Sequence, residues 1–129
     1  MIEQDYIMRL IHEVVRTVLK LLFHIDMDKK EELLLNEKET EEKYNELLYL
    51  IDKGEINEAE NKLLDELNPA DIQNYKIALM FYLYLNEKDI DFLEEYNFSR
   101  GEITDGLKYV SEIYGYGSMA DALLSILLD

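Results

Sequence analysis

Between Tyr6 and Ile25 the chain is apolar around most of a helix's circumference, and this limits what the rest of it can do. The exceptions are Arg9, His12, Glu13, Arg16, Thr17, Lys20 and His24. They recur every three or four positions, so they line one side of an α-helix. Tyr6, Ile7, Met8, Leu10, Ile11, Val14, Val15, Val18, Leu19, Leu21, Leu22 and Phe23 take up the rest. A surface helix shows a narrower apolar stripe than this. The segment therefore needs cover on most sides, from the remainder of the chain or from a second molecule. A bilayer is a poor cover, because Arg9, Glu13, Arg16 and Lys20 interrupt the ~30 Å that such a helix spans. Glu3 and Asp5 stand ahead of it, where a secretion signal would carry positive charge. Stable membrane insertion is not expected.

Charge divides the chain in the same place. The formal net charge is −16, yet residues 1–25 contribute nothing to it, since Glu3, Asp5 and Glu13 balance Arg9, Arg16 and Lys20. The body that follows is strongly acidic and repels phosphate, so nucleic acid is not an expected partner. There is no cysteine, which excludes disulfides and thiolate metal sites and fits a cytoplasmic setting. A chain of 129 residues is long enough for one domain with one core.

Leu, Glu, Lys and Ile dominate, with one proline and five glycines, and no stretch alternates with a period of two. The expected fold is all-α, with six or seven helices in stacked antiparallel hairpins beside the N-terminal apolar helix. Residues 1–25 form that helix, 26–40 a charged linker or a frayed helix start, and 41–129 the hairpins. The second helix runs from Glu41 to Lys53 and stops at Gly54, which enters the left-handed conformation without strain. Asn57 is expected to cap the third, with Glu60 as its capping-box partner, and Asn68 to cap a fourth spanning Pro69 to Leu85. That fourth helix is apolar nearly all round in its second half and should lie at the centre. A short fifth helix covers Asp89 to Tyr96. Ser99 and Glu102 box the start of a sixth, where Gly101 and Gly106 suggest a close backbone approach. Ser118 and Asp121 open the last.

Within Leu47 to Pro69, the stretch Gly54-Glu55-Ile56-Asn57-Glu58-Ala59 resembles the middle of a tetratricopeptide repeat: a glycine, an apolar residue two positions later, and a small residue three after that. Lys43 and Leu47 depart from the repeat's aromatic and small positions, Pro69 falls two positions early, and the next segment does not continue the pattern. The resemblance implies helical hairpins, without a ligand groove of known kind. Separately, Glu3-Gln4-Asp5-Tyr6-Ile7-Met8-Arg9-Leu10-Ile11, together with Phe98-Ser99-Arg100-Gly101-Glu102-Ile103-Thr104-Asp105-Gly106-Leu107 and Tyr114-Gly115, resembles a family of short helical proteins of unknown function from low-GC Gram-positive bacteria. That resemblance implies an all-α fold in a bacterial cytosol and brings no activity with it.

No catalytic constellation assembles from the residue types. Ser99 and Ser118 are explained as helix caps, and no serine lies in a nucleophile elbow. His12-Glu13 begins like a zinc-protease motif, but the second histidine would fall at Arg16. His12 and His24 are separated by about 18 Å of helix, too far to share a metal. No cofactor is expected. The expectation is a non-enzymatic protein–protein interaction module, self-associating as a homodimer through Asp5, Tyr6, Arg9, Leu10, Val14 and Val18 on the first helix. The alternative is a small-molecule-binding regulator whose groove is walled by Tyr75, Tyr82, Tyr84, Tyr109 and Tyr114, with carboxylates selecting positive charge.

Overall fold

Ile72–Asn86 has almost no polar side, so the other elements are arranged around it. The computed structural model describes residues 2–29 and 38–128, and among these the chain forms seven helices and no strand. They are α1 (Ile2–Phe23), α2 (Lys38–Asp52), α3 (Ile56–Asp65), α4 (Ile72–Asn86), α5 (Ile90–Glu95), α6 (Arg100–Ile113) and α7 (Gly117–Leu128). Helix α4 packs against α1, α2 and α6, α2 against α3, and α1 also against α6 and α7. Ten of the fifteen residues of α4 are buried, as expected for the central helix. No helix among the described residues is long and apolar enough to cross a membrane.

The wide apolar side of α1 is covered by this chain's own helices. Leu10, Ile11, Val14, Val15, Val18 and Leu19 are all buried against α4, α6 and α7. Leu10, Val14 and Val18, expected at a dimer face, are therefore buried in this chain's own core. Leu21 departs in the other direction: it is 58 % exposed.

Several boundaries differ from the sequence expectation for local reasons. Helix α2 starts at Lys38, inside the expected 26–40 linker; residues 30–37 of that linker lie outside the described residues. Residues 26–29 form a turn, in which the Lys29 amide donates to the Asp26 carbonyl and Arg16 Nη2 pairs with Asp28 Oδ1 at 2.9 Å. At Gly54 (φ +84°) the chain makes the expected left-handed stop, with the Gly54 amide donating to the Ile51 carbonyl and the Glu55 amide to the Leu50 carbonyl. That compact turn starts α3 at Ile56, so Asn57 lies within the first turn of the helix and Glu55 occupies the cap position without a side-chain bond. Asn68 does not cap α4. Its carbonyl accepts from the Asp71 amide at 2.8 Å, closing a turn with Pro69 at the second position, and Asp71 caps instead by accepting from the Gln73 amide. The Ser99–Glu102 capping box forms as expected. Helix α7 begins at Gly117, one residue ahead of Ser118, with the Tyr116 carbonyl accepting from the Ala120 amide.

The close approach at Gly106 is to Tyr82: a Cβ there would overlap the tyrosine hydroxyl and ring. Tyr82 is fully buried and packs edge-on against Phe81, so it has little room to retreat. Gly106→Ala is expected to cost about 1–3 kcal/mol as an overpacking change, read from the urea midpoint. Gly101→Ala is the control, because a Cβ there meets nothing nearer than Ser99 Oγ at 3.6 Å. A neutral Gly106→Ala would show that α4 and α6 are looser than this packing implies.

Candidate functional site

With its apolar side covered, α1 turns the remaining stripe outward. Asp5, Tyr6, Arg9, Glu13 and Lys20 are exposed, and His12 and Arg16 half-buried. Arg9 Nε donates to the Asp5 carbonyl at 3.4 Å, one turn back. Glu13 lies 3.9 Å from Arg16 Nε, and His12 Nδ1 lies 3.8 Å from Glu87 Oε1. Two shallow clefts flank the stripe and share Arg9 and Glu13 as their common rim. One, of about 390 Å³, is lined by Met8, His12, Asn86 and Glu87 as well; the other, of about 260 Å³, by Tyr6 and Leu10. Of the six residues expected at a self-association face, the structure leaves Asp5, Tyr6 and Arg9 together on the surface and places Leu10, Val14 and Val18 beneath them.

A buried polar network holds this face from behind. Arg100, 3 % exposed, donates through Nε to Asn86 Oδ1 at 3.2 Å. Its Nη2 donates to the Asn86 carbonyl at 3.1 Å and to the Lys88 carbonyl at 2.5 Å. The last carbonyls of a helix have no partner within it, and here one guanidinium serves the end of α4. Asn86 in turn donates from Nδ2 to the Met8 carbonyl at 2.9 Å, so the first half of α1 is tied to the end of α4 and, through Arg100, to the start of α6. Sequence reasoning missed this network. One signal was present: a cation in the first turn of a helix opposes the helix dipole, and Arg100 is such a cation.

Of the five groove tyrosines, Tyr75 and Tyr114 meet and the other three make their contacts elsewhere. Tyr75 donates to or accepts from Ser111 Oγ at 2.7 Å and stacks on Tyr114 with centroids 4.9 Å apart and planes 8° apart; burial pushes its hydroxyl pKa up. The Tyr114 hydroxyl donates to the Asn68 and Asp71 carbonyls. Tyr82 donates to Glu60 Oε2 at 2.7 Å. Burial raises the Glu60 carboxyl above its ordinary value, against the Tyr82 hydrogen bond and with help from Glu102. Glu60 is thus the partner of a tyrosine on α4 and not of the expected cap. Tyr84 donates to Asp52 Oδ1 at 2.7 Å, where Lys88 Nζ donates as well; these bonds, that of Lys88 first, hold Asp52 below its ordinary value. The Lys88 ammonium also sits 5.0 Å from the ring centres of Tyr84 and Phe92. Tyr109 is 53 % exposed on α6. Tyr75 and Tyr114 fill each other's space, and the other three are not brought into one wall with them.

His24 lies exposed at the end of α1 in a left-handed conformation (φ +56°), apart from His12. Among the described residues no group of three or more His, Cys, Asp or Glu side chains could hold a metal ion. A model of a family of unknown function, DUF6483, matches residues 1–115. No curated protein and no solved structure matches the chain.

Proposed function

We propose a function for this chain as a protein that belongs to DUF6483, the family of unknown function: it is a non-enzymatic protein-interaction module that works through the outer face of α1. The observation that carries this reading is the contrast between that face and the rest of the chain. Residues 1–25 are charge-balanced and present Arg9 and Glu13 between two clefts, with Tyr6 in one of them, whereas the remainder holds the whole excess of −16. Arginine and tyrosine are the residue types that anchor protein interfaces. The network from Met8 through Asn86 to Arg100 supports the reading further, because a surface on a fixed backbone loses less freedom on binding. An acidic chain of this composition fits the cytoplasm. The α2–α3 hairpin, with Ala59 fully buried, is what supports a tetratricopeptide-like component. The competing small-molecule reading is not favoured by the placement of its tyrosines.

The test immobilises the full chain by its C-terminus and compares what the native protein, Arg9→Glu and Lys53→Glu retain from a lysate of the source cells, with the pure native chain added as one of the preys. Lys53 is exposed in the turn just after α2. Arg9→Glu is expected to lose at least ten-fold of the specifically retained protein, and Lys53→Glu to retain it all. Equal retention by all three removes the outer face of α1 as the working surface.

A further inference from the structure

We infer that the occupant of this face is a second copy of the same chain, laid antiparallel across α1 about a two-fold axis, with Arg9 of each copy paired to Glu13 of the other. This rests on the interaction reading above and names its partner. The first argument is charge. Two chains of −16 repel each other on approach, and the repulsion is least where the charge is balanced, which is the N-terminal helix. The second is the order of charges along the stripe. With the axis at the level of Ile11, Arg9 faces Glu13 and Tyr6 faces Arg16. Symmetry forms each contact twice. The first is an ion pair and the second sets a guanidinium against an aromatic face. A parallel alignment in the same register sets Arg9 on Arg9 and Glu13 on Glu13, so the pattern selects the antiparallel one.

Arg9 and Glu13 are available for this, and Arg16, half-buried, keeps its pairing with Asp28 at 2.9 Å. Arg9 is exposed and bonds within its own chain to the Asp5 backbone carbonyl, not to a carboxylate. Glu13 is exposed and holds Arg16 only at 3.9 Å. Tyr6 is 38 % exposed. The clefts on both sides of the Arg9–Glu13 rim leave space for the flanking side chains of a crossing helix. One helix face is a small interface, so the dimer is expected to be weak and salt-sensitive, with a Kd of roughly 1–100 μM.

Sedimentation equilibrium of the full chain at low salt, from about 1 to 500 μM, tests this. The native chain is expected to dimerise. Arg9→Glu and Glu13→Arg should each weaken dimerisation at least ten-fold, and the chain carrying both reversals should return to within about three-fold of native, because the swapped charges face each other again. Arg9→Gln and Glu13→Gln, which only remove charge, give the same direction if a reversal disturbs folding. A native chain that stays monomeric throughout overturns the inference, as does native-like dimerisation of Arg9→Glu and Arg9→Gln. Weakening by both single reversals without recovery in the double overturns the antiparallel register. If the native chain is monomeric while the immobilised chain still loses a different retained protein on Arg9→Glu, the partner named here is wrong and the interaction surface stands.

Discussion

Arg100→Ala is expected to lower the unfolding free energy by about 3–5 kcal/mol, which for a chain of this length is a fall in Tm of more than about 10 °C. The guanidinium is buried, and it serves Asn86 Oδ1, the Asn86 carbonyl and the Lys88 carbonyl. Alanine leaves those acceptors enclosed without donors, and each such group costs about 1–3 kcal/mol. Arg100→Lys should recover only part of the loss, since one ammonium on a flexible stem cannot reproduce the planar fork that reaches two residues at once. The effect should also travel. Asn86 is held by Arg100 and holds the Met8 carbonyl, so hydrogen exchange in the first half of α1 should speed up more than in α2 or α3. A loss below about 1 kcal/mol in urea unfolding would mean that water replaces the guanidinium, and that the network does not position the outer face of α1.

Val14→Asp is the second large effect, and it is informative beside Arg9→Glu. Val14 is 2 % exposed in the core, and an aspartate there loses the apolar contacts and buries a charge with no partner. The expected loss is about 4 kcal/mol or more, enough to leave much of the chain unfolded at 37 °C by circular dichroism. Arg9→Glu, five residues earlier on the exposed face, should change stability by no more than about 0.5 kcal/mol. Polar changes at Leu10, Val14 and Val18 therefore report on folding, whereas changes at the exposed Tyr6, Arg9 and Glu13 test the proposed association. A well-folded Val14→Asp protein would place the covered side of α1 elsewhere.

How much of this was legible in the sequence depended on the range of each interaction. The Ser99–Glu102 box and the stop at Gly54 were readable because a few consecutive residues determine them. The caps expected at Asn57 and Asn68 failed because neighbouring residues offered tighter turns, at Gly54–Glu55 and at Pro69. Periodicity showed that α1 needed cover and could not say from where: burial by α4, α6 and α7 has the same sequence pattern as burial by another molecule. Gly106 signalled a close approach without naming Tyr82, which lies on another helix. Tyr82–Glu60 and Asn86–Met8 join positions 22 and 78 residues apart, and nothing local announces such pairs. The candidate surface was half legible for the same reason. The pattern of Asp5, Tyr6 and Arg9 was visible, but it was grouped with core positions until the packing separated the two sides.

The dependence of α1 on helices that follow it has a consequence during synthesis. Helix α1 leaves the ribosome before its cover in α4, α6 and α7, the last of which begins at Gly117. At about 5–20 residues per second, translation needs roughly 5 to 20 seconds to make that cover after α1 is complete. Until α7 is made, part of that oily flank lacks its native cover, and the nascent chain carries the exposure that makes unfinished chains prone to aggregate.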